Sequence, residues 1–237
     1  MSQIVAASPH VTTKNSTAVI MRDVLIALLP AVLAGCVVFG LRALLVVAVT
    51  TAACVFFEWG FEKLCHTPST ISDLSAAVTG VLLAMNLPVS IPLWQAVFGA
   101  LVAIVAVKGL FGGIGKNFAN PAITARIVMF LAFSKTMTAW VFPDAVSSAT
   151  PLAMMANGES VDYLTLLLGN HGGCLGETSA LALLIGFAYL LIRGVISWHT
   201  PVCFVGTVFV MSLILGQDAV GQILSGGLML GEKVMAT

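Results

Sequence analysis

Apolar residues fall in runs of about 17–20, the length that carries a helix across the hydrocarbon core of a bilayer. The first run extends from about Val24 to Gly40. The turn Gly40-Leu41-Arg42 leads into a second, which reaches about Phe61. A polar stretch follows, with Glu62, Lys63, His66, Pro68, Ser69, Thr70 and Asp73. The third run, Leu74 to Leu87, is short, holds Gly80 and Asn86, and is stopped by Pro88 and Pro92. The fourth covers about Leu93 to Val107 and the fifth about Pro121 to Phe133, with a glycine-rich link over 108–116 between them. Residues 134–175 form the one long polar segment. Beyond it come Thr178 to Ile192, Val202 to Leu215, and a shorter eighth run, Val220 to Leu230, with Gly226 and Gly227. The pattern predicts an all-α polytopic membrane protein, a bundle of transmembrane helices.

Composition removes the competing classes. Of 237 residues, 59% are hydrophobic and only 8% charged, too few charges to wet the surface of a soluble domain. Ten basic residues balance ten acidic ones, so nothing marks a nucleic-acid partner; lipid is the expected surroundings. The polar first 23 residues do not read as a signal peptide. Five cysteines without a C-x-x-C pair argue against a disulfide framework or a self-contained metal cluster. They read as small apolar packers.

Charge also orients the bundle. With the N-terminus inside, Lys14, Arg22, Lys63, Lys108, Lys116 and Arg193 face the cytoplasm and only Arg42 and Lys135 face out. The 134–175 loop is then expected outside. The short, glycine-interrupted third and eighth runs suggest broken helices in matching places of two repeats, the usual pointer to a transport site. A five-plus-five inverted repeat is expected, its second copy incomplete. That divides the chain into a cytoplasmic segment (1–23), a first five-helix repeat (24–134), an outward loop (135–176) and a partial second repeat (177–237). Close helix packing through glycine would leave the same trace.

Few residues offer chemistry. Asp144-Ala-Val-Ser147-Ser148-Ala149-Thr150-Pro151 sets hydroxyls among small side chains. A threonine there can accept a phosphoryl group, or the segment can be a turn or helix cap. The Gly112-Gly113-Ile-Gly115-Lys116 link fails as a P-loop. Leu110 stands where its first glycine is required, and Asn117 where Ser or Thr is required. A tight turn and a nest of amides for a cofactor both remain open. Arg126, inside the fifth run, carries an insertion cost of about 2.5–3.5 kcal/mol near the centre. It needs a partner or must reach an interface. Asp73 and Glu177 open apolar runs, where a carboxylate suits the helix dipole or handles a cation.

Taken in order, several segments carry a resemblance. They are Ser8-Pro-His10, Met21-Arg-Asp-Val24, Ala27-Leu-Leu-Pro30, Ser72-Asp73-Leu-Ser-Ala, Thr79-Gly80 through Asn86-Leu-Pro88, Lys108 through Gly115, Asn120-Pro121-Ala122 and Gly176-Glu177-Thr178-Ser179-Ala180. Together they cover nearly the whole chain. It resembles the D-type membrane subunits of the Rnf complex, the membrane-bound ferredoxin:NAD oxidoreductase. It is similar, less closely, to the B subunit of the sodium-pumping NADH:quinone reductase. Ala119 stands where the family usually carries Phe, and the family continues through about two more spans.

The resemblance implies a subunit of a redox-driven sodium or proton pump in a prokaryotic cytoplasmic membrane, not catalytic alone. It implies FMN joined by a phosphoester to Thr150, with Asp144, Ser147, Ser148 and Ala149 as the recognition pattern of a flavin transferase. It implies the other Rnf subunits (A, B, C, E and G) as partners. Gly112, Gly113, Asn120 and Arg126 are carried along as cofactor-binding candidates, with riboflavin as the second flavin left open. A secondary transporter or channel without redox activity, or a scaffold subunit, would share the broken-helix pattern.

Overall fold

A computed structural model describes residues 16–66, 69–117, 119–139, 163–168, 173–176, 179–215 and 218–224. The described secondary structure is all helical. Helix α1 (Thr17–Phe39) starts on Ser16, whose hydroxyl accepts from the Val19 amide. Gly40 ends it at φ +73°, a conformation open to glycine, and α2 (Leu41–Cys65) departs at once. Both helices are long and apolar enough to cross a membrane. Their burial is inverted relative to a soluble protein. Val37 is 85% exposed and Phe56 61%, whereas Thr50 is wholly buried. Apolar side chains face outward and small or polar ones inward, as lipid surroundings require.

The third run ends just before its prolines, while Gly80 lies within an unbroken helix. A 3₁₀ turn (Ile71–Asp73) leads through Leu74, at φ +63°, into α3 (Ser75–Met85). Eleven residues rise about 16 Å, roughly half of the hydrocarbon core. Helix α3 lies against α2 so closely that a Cβ on Gly80 would stand 2.6 Å from the Thr51 Cα. Beyond Met85 the chain is irregular yet buried, with Leu87 and Ile91 fully enclosed. Its carbonyls must be answered inside the protein. Arg42 donates to Val89 at 2.9 Å and Ile91 at 3.3 Å. The Leu175 amide donates to Leu87 and the Gly176 amide to Met85.

Helix α4 (Leu93–Leu101) continues into a π-helix (Val102–Gly109), and α5 (Pro121–Ala132) follows the glycine link. Leu83, Leu87, Ile91, Ala96 and Met129 form the core between α2, α3, α4 and α5. A short α6 (Ser134–Met137) ends this half. Then come α7 (Tyr163–Leu168), α8 (Ala180–Ile192), α9 (His199–Ile214) and α10 (Ala219–Leu224). Helix α8 runs antiparallel to α1. Arg193 donates to both Asp23 oxygens, at 3.0 Å to Oδ2 and 3.3 Å to Oδ1. Ala31 meets Ala182 beside Met85, and Gly35 approaches the Leu175 carbonyl. The 134–175 segment meets the helices at its end, with Cys174 and Leu175 buried. Cys174 is not a helical packer, since it precedes α8 in irregular chain.

Candidate functional site

The buried stripe of α2 reads Ala43, Val46, Thr50, Cys54, Glu58, Glu62. Steps of three and four keep these residues on one face. The face that buries small apolar groups near Ala43 thus carries two carboxylates inward near Cys65. Glu58 is 4% exposed and Glu62 8%. A carboxylate withdrawn from water needs an opposite charge and hydrogen bonds.

Three other elements supply them. Lys108, near the end of the π-helix and also buried, pairs with Glu58 Oε1 and donates to the Ser75 hydroxyl at the head of α3. Thr70 donates to Glu62 Oε1 through its amide at 2.8 Å and its hydroxyl at 2.5 Å. The same hydroxyl lies 3.4 Å from Glu58 Oε1. Glu58 Oε2 is buried and receives no hydrogen bond among the described residues. Asp73 Oδ1 accepts from the Ser75 amide at 2.8 Å, so its charge sits at the positive end of α3. A π-turn inside a helix often marks a functional site, and this one turns Lys108 toward the carboxylates.

The hydropathy pattern does not single out this cluster. Lys108 reads in the sequence as a basic residue facing the cytoplasm; in the structure it is buried against Glu58. Glu58 is hidden inside an apolar run. A signal is present all the same, since an ionisable residue inside a span is by default a functional candidate, and Glu62 follows one helical turn later.

A second polar centre surrounds Arg126. Its guanidinium donates to Asn86 Oδ1 at 2.9 Å and to the Cys174 thiol at 3.4 Å. Asn86 in turn donates to the Leu82 carbonyl, and the Cys174 thiol to the Asn86 carbonyl. Of the two readings open for Arg126, the structure supports engagement by partners inside the bundle.

The other candidates stand apart from both centres. Gly112 and Gly113 lie in the link at φ +95° and +89°, conformations glycine adopts freely. Asn120 caps α5, its Oδ1 accepting from Ala122 at 3.0 Å and Ile123 at 3.4 Å, with Pro121 at the first helical position. Asp144, Ser147, Ser148, Ala149 and Thr150 lie outside the described residues, as does Glu177.

Comparison with known proteins places this architecture. The model of the NQR2, RnfD, RnfE family matches residues 4–237. The D subunit of the Na(+)-translocating ferredoxin:NAD(+) oxidoreductase complex of Acetobacterium woodii is 46% identical, over 98% of this chain and 76% of that protein. The D subunit of the proton-translocating ferredoxin:NAD(+) oxidoreductase complex of Clostridium ljungdahlii is 35% identical, over 98% of this chain and 77% of that protein. The D subunit of the ion-translocating oxidoreductase complex of Vibrio cholerae is 31% identical, over all of this chain and 82% of that protein.

Proposed function

Because the chain belongs to the NQR2, RnfD, RnfE family, we propose that it is the D-type membrane subunit of an Rnf-type ferredoxin:NAD oxidoreductase that translocates sodium or protons. The observation that carries this reading is the family match along nearly the full chain, joined to 46% identity with the Acetobacterium woodii protein. The fold agrees in kind: apolar outer faces, a half-length helix ending inside the bundle, and a buried ion pair.

In this reading the chain works with the other Rnf subunits (A, B, C, E and G) in a prokaryotic cytoplasmic membrane, N-terminus inside and the Thr150 loop outside. Thr150 accepts FMN through a phosphoester, placed by a flavin transferase that recognises Asp144, Ser147, Ser148 and Ala149. FMN supplies stepwise electron transfer when attached, and the protein supplies its position and surroundings. A second, non-covalent flavin such as riboflavin at Gly112, Gly113, Asn120 and Arg126 would have to draw Asn120 from its cap and Arg126 from Asn86. Ion handling falls to the buried Glu58, Glu62 and Lys108, which carry unequal charge away from water.

The test is a denaturing gel of protein co-expressed with the transferase, viewed under ultraviolet light. A fluorescent band that survives denaturation and vanishes in Thr150→Ala is the expected result. A dark native band, with the transferase active on another target, overturns the flavoprotein reading and favours a transporter without redox chemistry.

A further inference from the structure

Resting on that reading, we propose that the Lys108 ammonium is a tethered stand-in for the translocated cation. It holds the place beside Glu58 that one monovalent cation takes on entering, and the π-turn at Val102–Gly109 is the joint through which it withdraws.

Charge is the first argument. Counted as formal charges, Glu58 and Glu62 bring two negative and Lys108 one positive, and all three residues are buried. Replacing the ammonium by sodium or a proton leaves that count unchanged; a divalent ion alters it. Because uncompensated charge away from water is costly, charge-for-charge exchange is the route of least change. Donor chemistry is the second. Glu58 and the Ser75 hydroxyl meet at the ammonium, and the Thr70 hydroxyl joins Glu58 to Glu62 beside it, all hard oxygen groups. Glu58 Oε2, buried and without a hydrogen bond among the described residues, is a further ligand already in place.

The joint is the third. The i→i+5 pattern persists to the end of the segment, Leu110 donating to Val105 at 3.1 Å and Gly113 to Lys108 at 3.0 Å. Each residue of an α-helix turns about 100°, so loss of the extra π residue swings Lys108 off the carboxylates by about that angle. Gly109 and the exposed Leu110 follow directly, so a long lysine side chain reaches water without crossing the bundle.

The test uses the complete complex, with dicyclohexylcarbodiimide as probe and peptide mass spectrometry as readout. This reagent modifies buried carboxyl groups in their protonated form. In the native chain the paired Lys108 ammonium opposes protonation of Glu58 and holds its labelling down. Lys108→Met, neutral and close in volume, raises Glu58 labelling about tenfold through loss of the paired charge. Lys108→Arg keeps it low. Sodium chloride in place of choline chloride suppresses the raised labelling if sodium is the occupant, and insensitivity to sodium identifies the proton; either supports the exchange. Deleting Ala106, which shortens the π-turn by one residue, reproduces the Lys108→Met result. Unchanged labelling in Lys108→Met overturns the stand-in, and unchanged labelling in the deletion overturns the joint. Flavin fluorescence of the same native sample keeps the two readings apart. A dark band counts against the Rnf-type assignment, whereas a bright band with unchanged labelling counts against Lys108 alone.

Discussion

Arg126 and Asn86 meet at 2.9 Å, one from the middle of α5 and the other from the broken end of α3. The pair ties a charge in the bundle to the point where the half-length helix stops. Replacing Asn86 by Leu removes the acceptor and leaves the guanidinium with less to bond. The expected cost is about 1–3 kcal/mol, the penalty for a buried polar group losing its partner. Thermal unfolding of the purified complex should show a lowered midpoint. Asn86→Asp, which restores an acceptor, should recover most of the loss.

Gly80 sets the distance between α2 and α3. A Cβ there would meet the Thr51 Cα at 2.6 Å and the Thr50 carbonyl at 3.3 Å, backbone atoms that cannot step aside. Gly80→Val should destabilise by about 1–3 kcal/mol through overpacking. Because α3 carries Ser75 into the carboxylate cluster, the same variant should also disturb ion coupling. Thermal melts and turnover of the complex, measured together, check this. An unchanged melt would mean that the two helices separate at little cost.

Asp23 and Arg193 couple α1 to α8. Asp23 is buried while the Arg193 side chain is 45% exposed, so solvent screens part of the attraction. A double-mutant cycle with Asp23→Asn and Arg193→Gln should return a coupling of about 1 kcal/mol, at the upper end for exposed pairs. Additive effects of the two changes would show that the ion pair does not hold the helices together.

Outside the spans, Tyr163 donates to Asp218 at 2.7 Å and joins α7 to α10. This bond holds the Asp218 carboxyl below its ordinary range and pushes the Tyr163 phenol up. The Asp218 contribution is present above the usual carboxylate value and is lost as pH falls through its lowered one. The Tyr163 contribution is present below the usual phenol value and is lost as pH rises through its raised one. Protection of the 219–224 amides, taken relative to their intrinsic exchange at each pH, should therefore be greatest between these limits and fall at both ends. In Tyr163→Phe the acid-side change should shrink, and an identical profile in that variant would remove the bond from the account.

Much of the architecture is legible in the sequence because length and hydropathy act through simple geometry. The run ending at Gly40 ends where α1 does, and α3 stops at Met85, two residues short of the end of its run at Leu87, since glycine and proline alter the backbone itself. The π-turn is not legible: Val102 to Val107 is apolar throughout, so no change of period marks it. The cluster at Glu58 stays hidden for a related reason. One carboxylate in an apolar run scarcely changes mean hydropathy, and its partner Lys108 lies fifty residues on. The return of 173–176 to the end of α3 is a tertiary event, with backbone amides and a thiol answering carbonyls, and such groups carry no residue-specific pattern. The roles carried by resemblance, Thr150 above all, rest on motif order and lie outside the described residues.

The tie between α3 and the 173–176 segment also orders the making of the protein. Asn86 and Cys174 are 88 residues apart in the chain. The Met85 and Leu87 carbonyls accept from the Gly176 and Leu175 amides. During synthesis the first five helices can therefore emerge and gather, but the inner end of α3 stays open until the segment before α8 arrives. Insertion machinery must shelter that end meanwhile, and a ribosome stalled before residue 176 would leave a half-built bundle for the quality-control proteases of the membrane.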